Sequence, residues 1–123
     1  MDNFSFSMAI PQLPSGDIEV TADFFMKSLG FEVVAKIKEH NFLIVRRGPA
    51  EIHFWQAEDE KAAREVACAS SCYIRVKNIE PFYQELKKRQ TKFRYELQKM
   101  PWQMHEMQID DPYGNAIKFG EPL

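Results

Sequence analysis

The chain uses one pattern twice, and that repetition restricts its fold more than any other feature. In the first pass, residues 8–13 read as a strand, apolar apart from Gln12. Pro11 and Pro14 mark it as an edge strand or one that ends early, because proline donates no ladder hydrogen bond. Ser15 or Asp17 then caps a helix whose apolar residues Ile18, Ala22, Phe25 and Leu29 share one stripe, and Gly30 supplies the left-handed residue that ends it. Strands follow at 31–37, 42–46 and 51–57, separated by the turns Glu39-His40-Asn41 and Arg47-Gly48-Pro49. In the second pass a strand at 71–76 precedes a helix capped by Asn78, with Pro81 in its first turn and Ile79, Tyr83 and Leu86 on its stripe. Strands at 93–97 and around Trp102 and Ile117 complete it. A shift of 61 residues lays Asp17 on Asn78, Ile18 on Ile79, Ala22 on Tyr83 and Phe25 on Leu86.

Two strand–helix–three-strand units predict an α+β fold. Two βαβββ modules form a cupped, mostly antiparallel sheet with helices on the outside, leaving the other sheet faces to curve around a cleft. The 123 residues make one domain (1–123), with modules at about 8–57 and 71–120 and a connector at 58–70. The connector is charged and alanine-rich and reads as an exposed segment with two helical turns, its charges solvated.

Composition removes several classes of function. The net charge is −2 with no basic run, so nucleic acid is not an expected partner. No apolar run approaches the roughly 20 residues that span a bilayer, which removes the membrane. The start Met1-Asp2-Asn3-Phe4 lacks the basic and apolar regions of a signal peptide, and a cytoplasmic location is expected. Cys68 and Cys72 are expected to be reduced, and their spacing without a second Cys/His pair is a poor zinc signal. Cys72 reads as a buried structural thiol. Ser70 and Ser71 sit in no Gly-x-Ser-x-Gly elbow, and no glycine-rich loop cradles phosphate. His40 reads as a solvated turn residue and His105 as a hydrogen-bonded core histidine.

Residues 101–119 read as strand, tight turn, strand, with Asp111-Pro112-Tyr113-Gly114-Asn115 as the turn. By alternation Trp102, Met104, Glu106 and Gln108 share one face, and Gln103, His105, Met107 and Ile109 the other. An indole, a thioether and a carboxylate on one face suit a pocket wall for a large, partly cationic ligand.

Gly16-Asp17-(x)6-Phe24-Phe25-(x)3-Leu29-Gly30-Phe31 and Asp111-Pro112-Tyr113-Gly114-Asn115, in this order around a duplication, resemble the vicinal-oxygen-chelate superfamily of glyoxalase I, extradiol dioxygenases and bleomycin-resistance proteins. Pro101-Trp102, Glu106, Ile10-Pro11-x-Leu13 and the chain length most resemble the bleomycin-resistance branch. That resemblance implies a non-catalytic homodimer that sequesters a glycopeptide-type antibiotic in clefts at the dimer interface, often with an exchanged N-terminal strand. The superfamily's metal-ligand positions fall on Ile10, His53, Ser71 and Lys118, of which only His53 binds a metal well. No catalytic residue, metal or cofactor is therefore expected. The expected ligand-binding residues are Phe42, His53, Trp55, Tyr73, Trp102, Met104 and Glu106. Ile44, Glu51, Arg75, Gln108 and Lys118 lie nearby; Glu106 is expected to pair with a ligand cation, and Glu51, which could do the same, reads first as a solvated carboxylate. Trp55 and Trp102 also suit a dimer interface. Two alternatives stay open: a divergent metal-dependent lyase, isomerase or dioxygenase of the same superfamily, and a binder of an unrelated metabolite.

Overall fold

The repeat in the sequence is a repeat of topology. The computed structural model describes residues 3–123; Met1 and Asp2, which entered the reading of the N-terminus above, lie outside the described residues. The first module runs β1 (Gln12–Ser15), α1 (Ile18–Leu29), β2 (Glu32–Ile37), β3 (Phe42–Arg47) and β4 (Ala50–Gln56). A helix, α2 (Glu60–Ala67), leads to the second module: β5 (Ser71–Arg75), α3 (Ile79–Lys88), β6 (Tyr95–Met100), β7 (Met104–Asp110) and β8 (Ala116–Pro122). Sheet 1 has the order β1-β4-β3-β2 and sheet 2 the order β5-β8-β7-β6. In each, the module's first strand runs parallel to its last and the other pairs are antiparallel. The fold is α+β with two βαβββ modules, each forming its own four-stranded mixed sheet.

Local chemistry explains the element ends, and it corrects several expectations. The first strand lies at Gln12–Ser15, two residues beyond Ile10, because ladder pairing with β4 starts only after Pro11; residues 3–10 pair with no strand among the described residues. Asp17 is the helix cap: its Oδ1 accepts from the Glu19 N–H at 2.9 Å, while Ser15 Oγ instead pairs with Thr21 Oγ1 at 2.7 Å. Asn78 does not cap α3 with its side chain. Its backbone is left-handed (φ 58°), and the Glu121 carboxylate from β8 accepts from the Asn78 and Ile79 N–H groups at 2.8 and 3.2 Å. The strand expected at 93–97 lies at Tyr95–Met100, and Trp102 stands in the β6–β7 turn, where Gln103 takes φ 66°.

Each sheet turns one face to the core. Leu43, Val45, Ile52 and Phe54 point inward from sheet 1, and Met107, Ile109, Ile117 and Phe119 from sheet 2. They join Phe25 and Leu29 of α1 and Ile79 and Leu86 of α3 in one core that crosses the module boundary. Withdrawing each such side chain contributes roughly 1.5–3 kcal/mol, against about 0–1 kcal/mol for an exposed ion pair, so burial holds the modules together. Ion pairs and caps then fix their orientation. Arg47 at the end of β3 grips Glu85 of α3 at 2.6 and 2.8 Å and donates to the Leu29 carbonyl at 2.9 Å. Arg89 donates to the Lys27 carbonyl at 3.2 Å and Thr91 Oγ1 to the Ser28 carbonyl at 2.5 Å. The carbonyls left free at the end of α1 are thus satisfied largely from the second module.

The connector is more than an exposed spacer. Its helix α2 presents its charges to solvent but buries Ala63 and Ala67 against Tyr113 of the β7–β8 turn. Arg64 stacks over the Tyr113 ring at 5.2 Å and donates to the Pro112 carbonyl at 3.1 Å. Tyr113 also lies on Gly16, where any Cβ would collide with the ring. No helix among the described residues is long and apolar enough to cross a membrane.

Candidate functional site

The outward face of sheet 2 is built around one carboxylate. Alternation sends Met107 and Ile109 into the core and leaves Glu106 and Gln108 on the opposite face of β7. Glu106 is nevertheless only 2% exposed. Its Oε1 accepts from Tyr73 Oη at 2.9 Å and from Trp102 Nε1 at 3.2 Å, and its Oε2 accepts from Tyr95 Oη at 2.5 Å. Burial on its own raises this carboxyl's pKa, but the donors Tyr95, Trp102 and Tyr73, with the Lys118 charge, outweigh it and hold the group below its usual range. The same contacts act in reverse on the phenols. Desolvation and then the Glu106 carboxylate push Tyr73 up to about 12, and Tyr95 is raised for the same reasons. Around neutral pH the cluster is one anion held by three neutral donors.

The outward face of sheet 1 carries the other expected residues. Phe42 and His53 meet edge to face with ring centroids 5.2 Å apart, and His53 Nε2 lies 2.6 Å from Glu51 Oε2. Register sets Trp55 opposite Phe42 and Ile44 opposite His53. Trp55 is 40% exposed. The structure therefore brings together Tyr73, Glu106 and Trp102 on one sheet, and Phe42, His53 and Trp55 on the other. No hydrogen bond or ring contact among the described residues joins the two sets. Met104 opens β7 half-buried, opposite Met100.

Two contributors were not singled out in the sequence. Tyr95 sits between Phe93 and Leu97 and reads as part of an apolar stripe, but a register irregularity between Tyr95 and Gln98 breaks that alternation. Gly120 pairs with Glu106 across β7–β8, and a Cβ there would collide with Tyr73 Oη and Cζ. A glycine inside a strand was the available signal, since it marks close approach by another group.

The superfamily's metal positions do not fit a divalent ion within this chain. His53 stands on sheet 1 beside Glu51, Ile10 offers no lone pair, and Lys118, an ammonium, stands with Ser71 on sheet 2. Among the described residues no three His, Cys, Asp or Glu side chains group closely enough to hold a metal.

Two βαβββ modules with outward sheet faces carrying aromatic and charged side chains define a small two-module α+β protein of the glyoxalase type. The family model described as "Glyoxalase/Bleomycin resistance protein/Dioxygenase superfamily" matches residues 7–119, and the chain belongs to that superfamily. It is 30% identical over 129 aligned positions to the bleomycin resistance protein of Geobacillus stearothermophilus, covering 94% of this chain and 96% of that protein. A bleomycin resistance protein of Staphylococcus aureus matches to the same extent. Among solved structures, a bleomycin resistance determinant encoded on transposon Tn5 superposes with a TM-score of 0.79 at 23% identity, over 95% of this chain and 98% of that one. A bleomycin-binding protein complexed with bleomycin superposes with a TM-score of 0.76 at 24% identity, over 96% and 100%. These superpositions share the fold.

Proposed function

We propose that this chain is a bleomycin-type antibiotic binder that protects by sequestration, without turnover, as a cytoplasmic homodimer. The observation that carries the reading is Trp102. Its indole is 60% exposed, yet its N–H edge is tied to the buried Glu106 carboxylate. An open aromatic plane anchored by its N–H edge is suited to stacking on a flat heteroaromatic ring. The names borne by the 30%-identical relatives supply the ligand class.

The homodimer has its own support. Within one chain the two sets of outward residues lie on separate sheets, so a second copy is what would face one set toward the other. Phe4, Phe6, Met8 and Ile10 are also exposed, at alternate positions of an N-terminal segment that pairs with no strand among the described residues. Such a stripe is costly to leave in water and suits a contact with a second copy.

Titration with metal-free bleomycin tests the reading. Saturable quenching of tryptophan fluorescence is expected with a dissociation constant of about 1 μM or tighter, near −8 kcal/mol. Trp102→Ala should weaken it at least about tenfold. Neither quench nor heat at high micromolar ligand would remove the antibiotic reading, and a monomer by light scattering at those concentrations would remove the dimer.

A further inference from the structure

Glu106 is buried, and three of the roughly four acceptor sites of its carboxylate are already taken. Its two oxygens already take hydrogen bonds from β5, β6 and the β6–β7 turn, through Tyr73, Tyr95 and Trp102. A ligand cation could reach this carboxylate only by displacing one of them, which departs from the expectation that Glu106 pairs with the ligand directly. We propose that Glu106 is instead a positioning residue, which holds Tyr73, Tyr95 and Trp102 as one rigid aromatic platform, and that Gly120 is the position that permits it. The inference rests on the reading of this face as the binding face, and deepens it.

The geometry requires a gap at 120. Tyr73 is on β5 and Glu106 on β7, with β8 between them. Tyr73 pairs with Lys118, while Gly120 pairs with Arg75 on one side and Glu106 on the other. The Tyr73 ring therefore crosses β8 over Gly120 to reach the carboxylate. A Cβ at 120 would take the space of its Oη and Cζ, so even alanine pushes the phenol off Glu106. The ring end is the mobile partner, and Tyr73 is exposed enough to swing into solvent without unfolding the sheet.

Fixing the platform matters for affinity. Trp102 lies in a turn and is held, among the described hydrogen bonds of its side chain, by Glu106. Ordering a free side chain on binding weakens association by a factor of roughly two to ten. A platform ordered in advance avoids that loss for each of its members.

The test separates positioning from direct contact. In a Trp55→Phe chain Trp102 is the sole tryptophan, and its anisotropy and iodide quenching are read without ligand. Glu106→Gln and Gly120→Ala should each lower the anisotropy and raise iodide quenching. In the otherwise native chain, calorimetry with metal-free bleomycin should show affinity about tenfold weaker for both variants and about threefold weaker for Tyr73→Phe. Should the buried Glu106→Gln chain fail to fold, Tyr73→Phe and Gly120→Ala still decide. Unchanged Trp102 signals in folded variants overturn the proposal. So does a loss of affinity in Glu106→Gln while Gly120→Ala and Tyr73→Phe bind normally, which makes Glu106 the direct partner of the ligand. Trp102 loosening as expected in a protein that never binds bleomycin upholds the platform and ends the antibiotic reading.

Discussion

Asn115 Nδ2 donates to the Pro14 carbonyl at 2.8 Å, joining the β7–β8 turn of the second module to β1 of the first. The same amide nitrogen donates to Asp111 Oδ2 at 2.7 Å, and Asp111 Oδ1 accepts from the Tyr113, Gly114 and Asn115 N–H groups at 2.9–3.0 Å. The Asp-Pro-Tyr-Gly-Asn motif is thus a fastener between modules: Asp111 shapes the turn, Asn115 reaches across, and Tyr113 lies on Gly16 under α2.

Asn115→Ala should cost about 2–3 kcal/mol, because it leaves a buried carbonyl and one oxygen of a buried carboxylate unpaired. The check is the urea midpoint, with an unchanged m-value showing that the unfolding unit is the same. Asn115→Asp should be worse at neutral pH, since it sets a second carboxyl beside Asp111, whose own pKa burial already raises.

The parts of the fold legible in the sequence are those encoded by period. The stripe Ile18, Ala22, Phe25, Leu29 and its echo at Ile79 and Leu86 gave the helices, and alternation at Glu106, Met107, Gln108 and Ile109 gave the facing of β7. What was not legible depended on breaks in period or on distant partners. The irregularity after Tyr95 lets Tyr95 face Glu106 while Leu97, two residues on, packs against the core. The role of Gly120 is set by a ring on another strand. The burial of α2 was hidden because alanine among charges is a weak apolar signal, though Ala63 and Ala67 are fully buried. The division of the aromatic residues between two outward faces follows from module packing, which no local pattern encodes.

Acid should loosen the module junction. The bond from Arg47 lowers Glu85 most, with Arg89 adding to it, and the carboxyl falls from its usual 4.5 to about 2. A depressed folded-state pKa contributes stability that is complete above the unfolded value and is lost as pH falls from about 4.5 toward about 2. With the side chains about a third exposed, solvent screening limits the contribution to about 1 kcal/mol. Glu85→Gln should lower stability by that amount at pH 7 and by little at pH 2, as read from urea midpoints at the two pH values. Equal losses at both would assign the effect to packing.

The two thiols should differ sharply in reactivity. Cys72 is buried on β5, and desolvation, then the Asp111 charge, push its thiol up to about 12. Thiolate is the reactive form, so Cys72 is protected both by its pKa and by its surroundings. Cys68 is exposed at the end of α2. A disulfide reagent at pH 8 should modify one thiol per native chain promptly and the second only with unfolding. In Cys68→Ser the fast phase should vanish, and the remaining rate should follow denaturant concentration. A fast phase surviving in that variant would mean that β5 opens from the native state, and with it the strand that carries Tyr73.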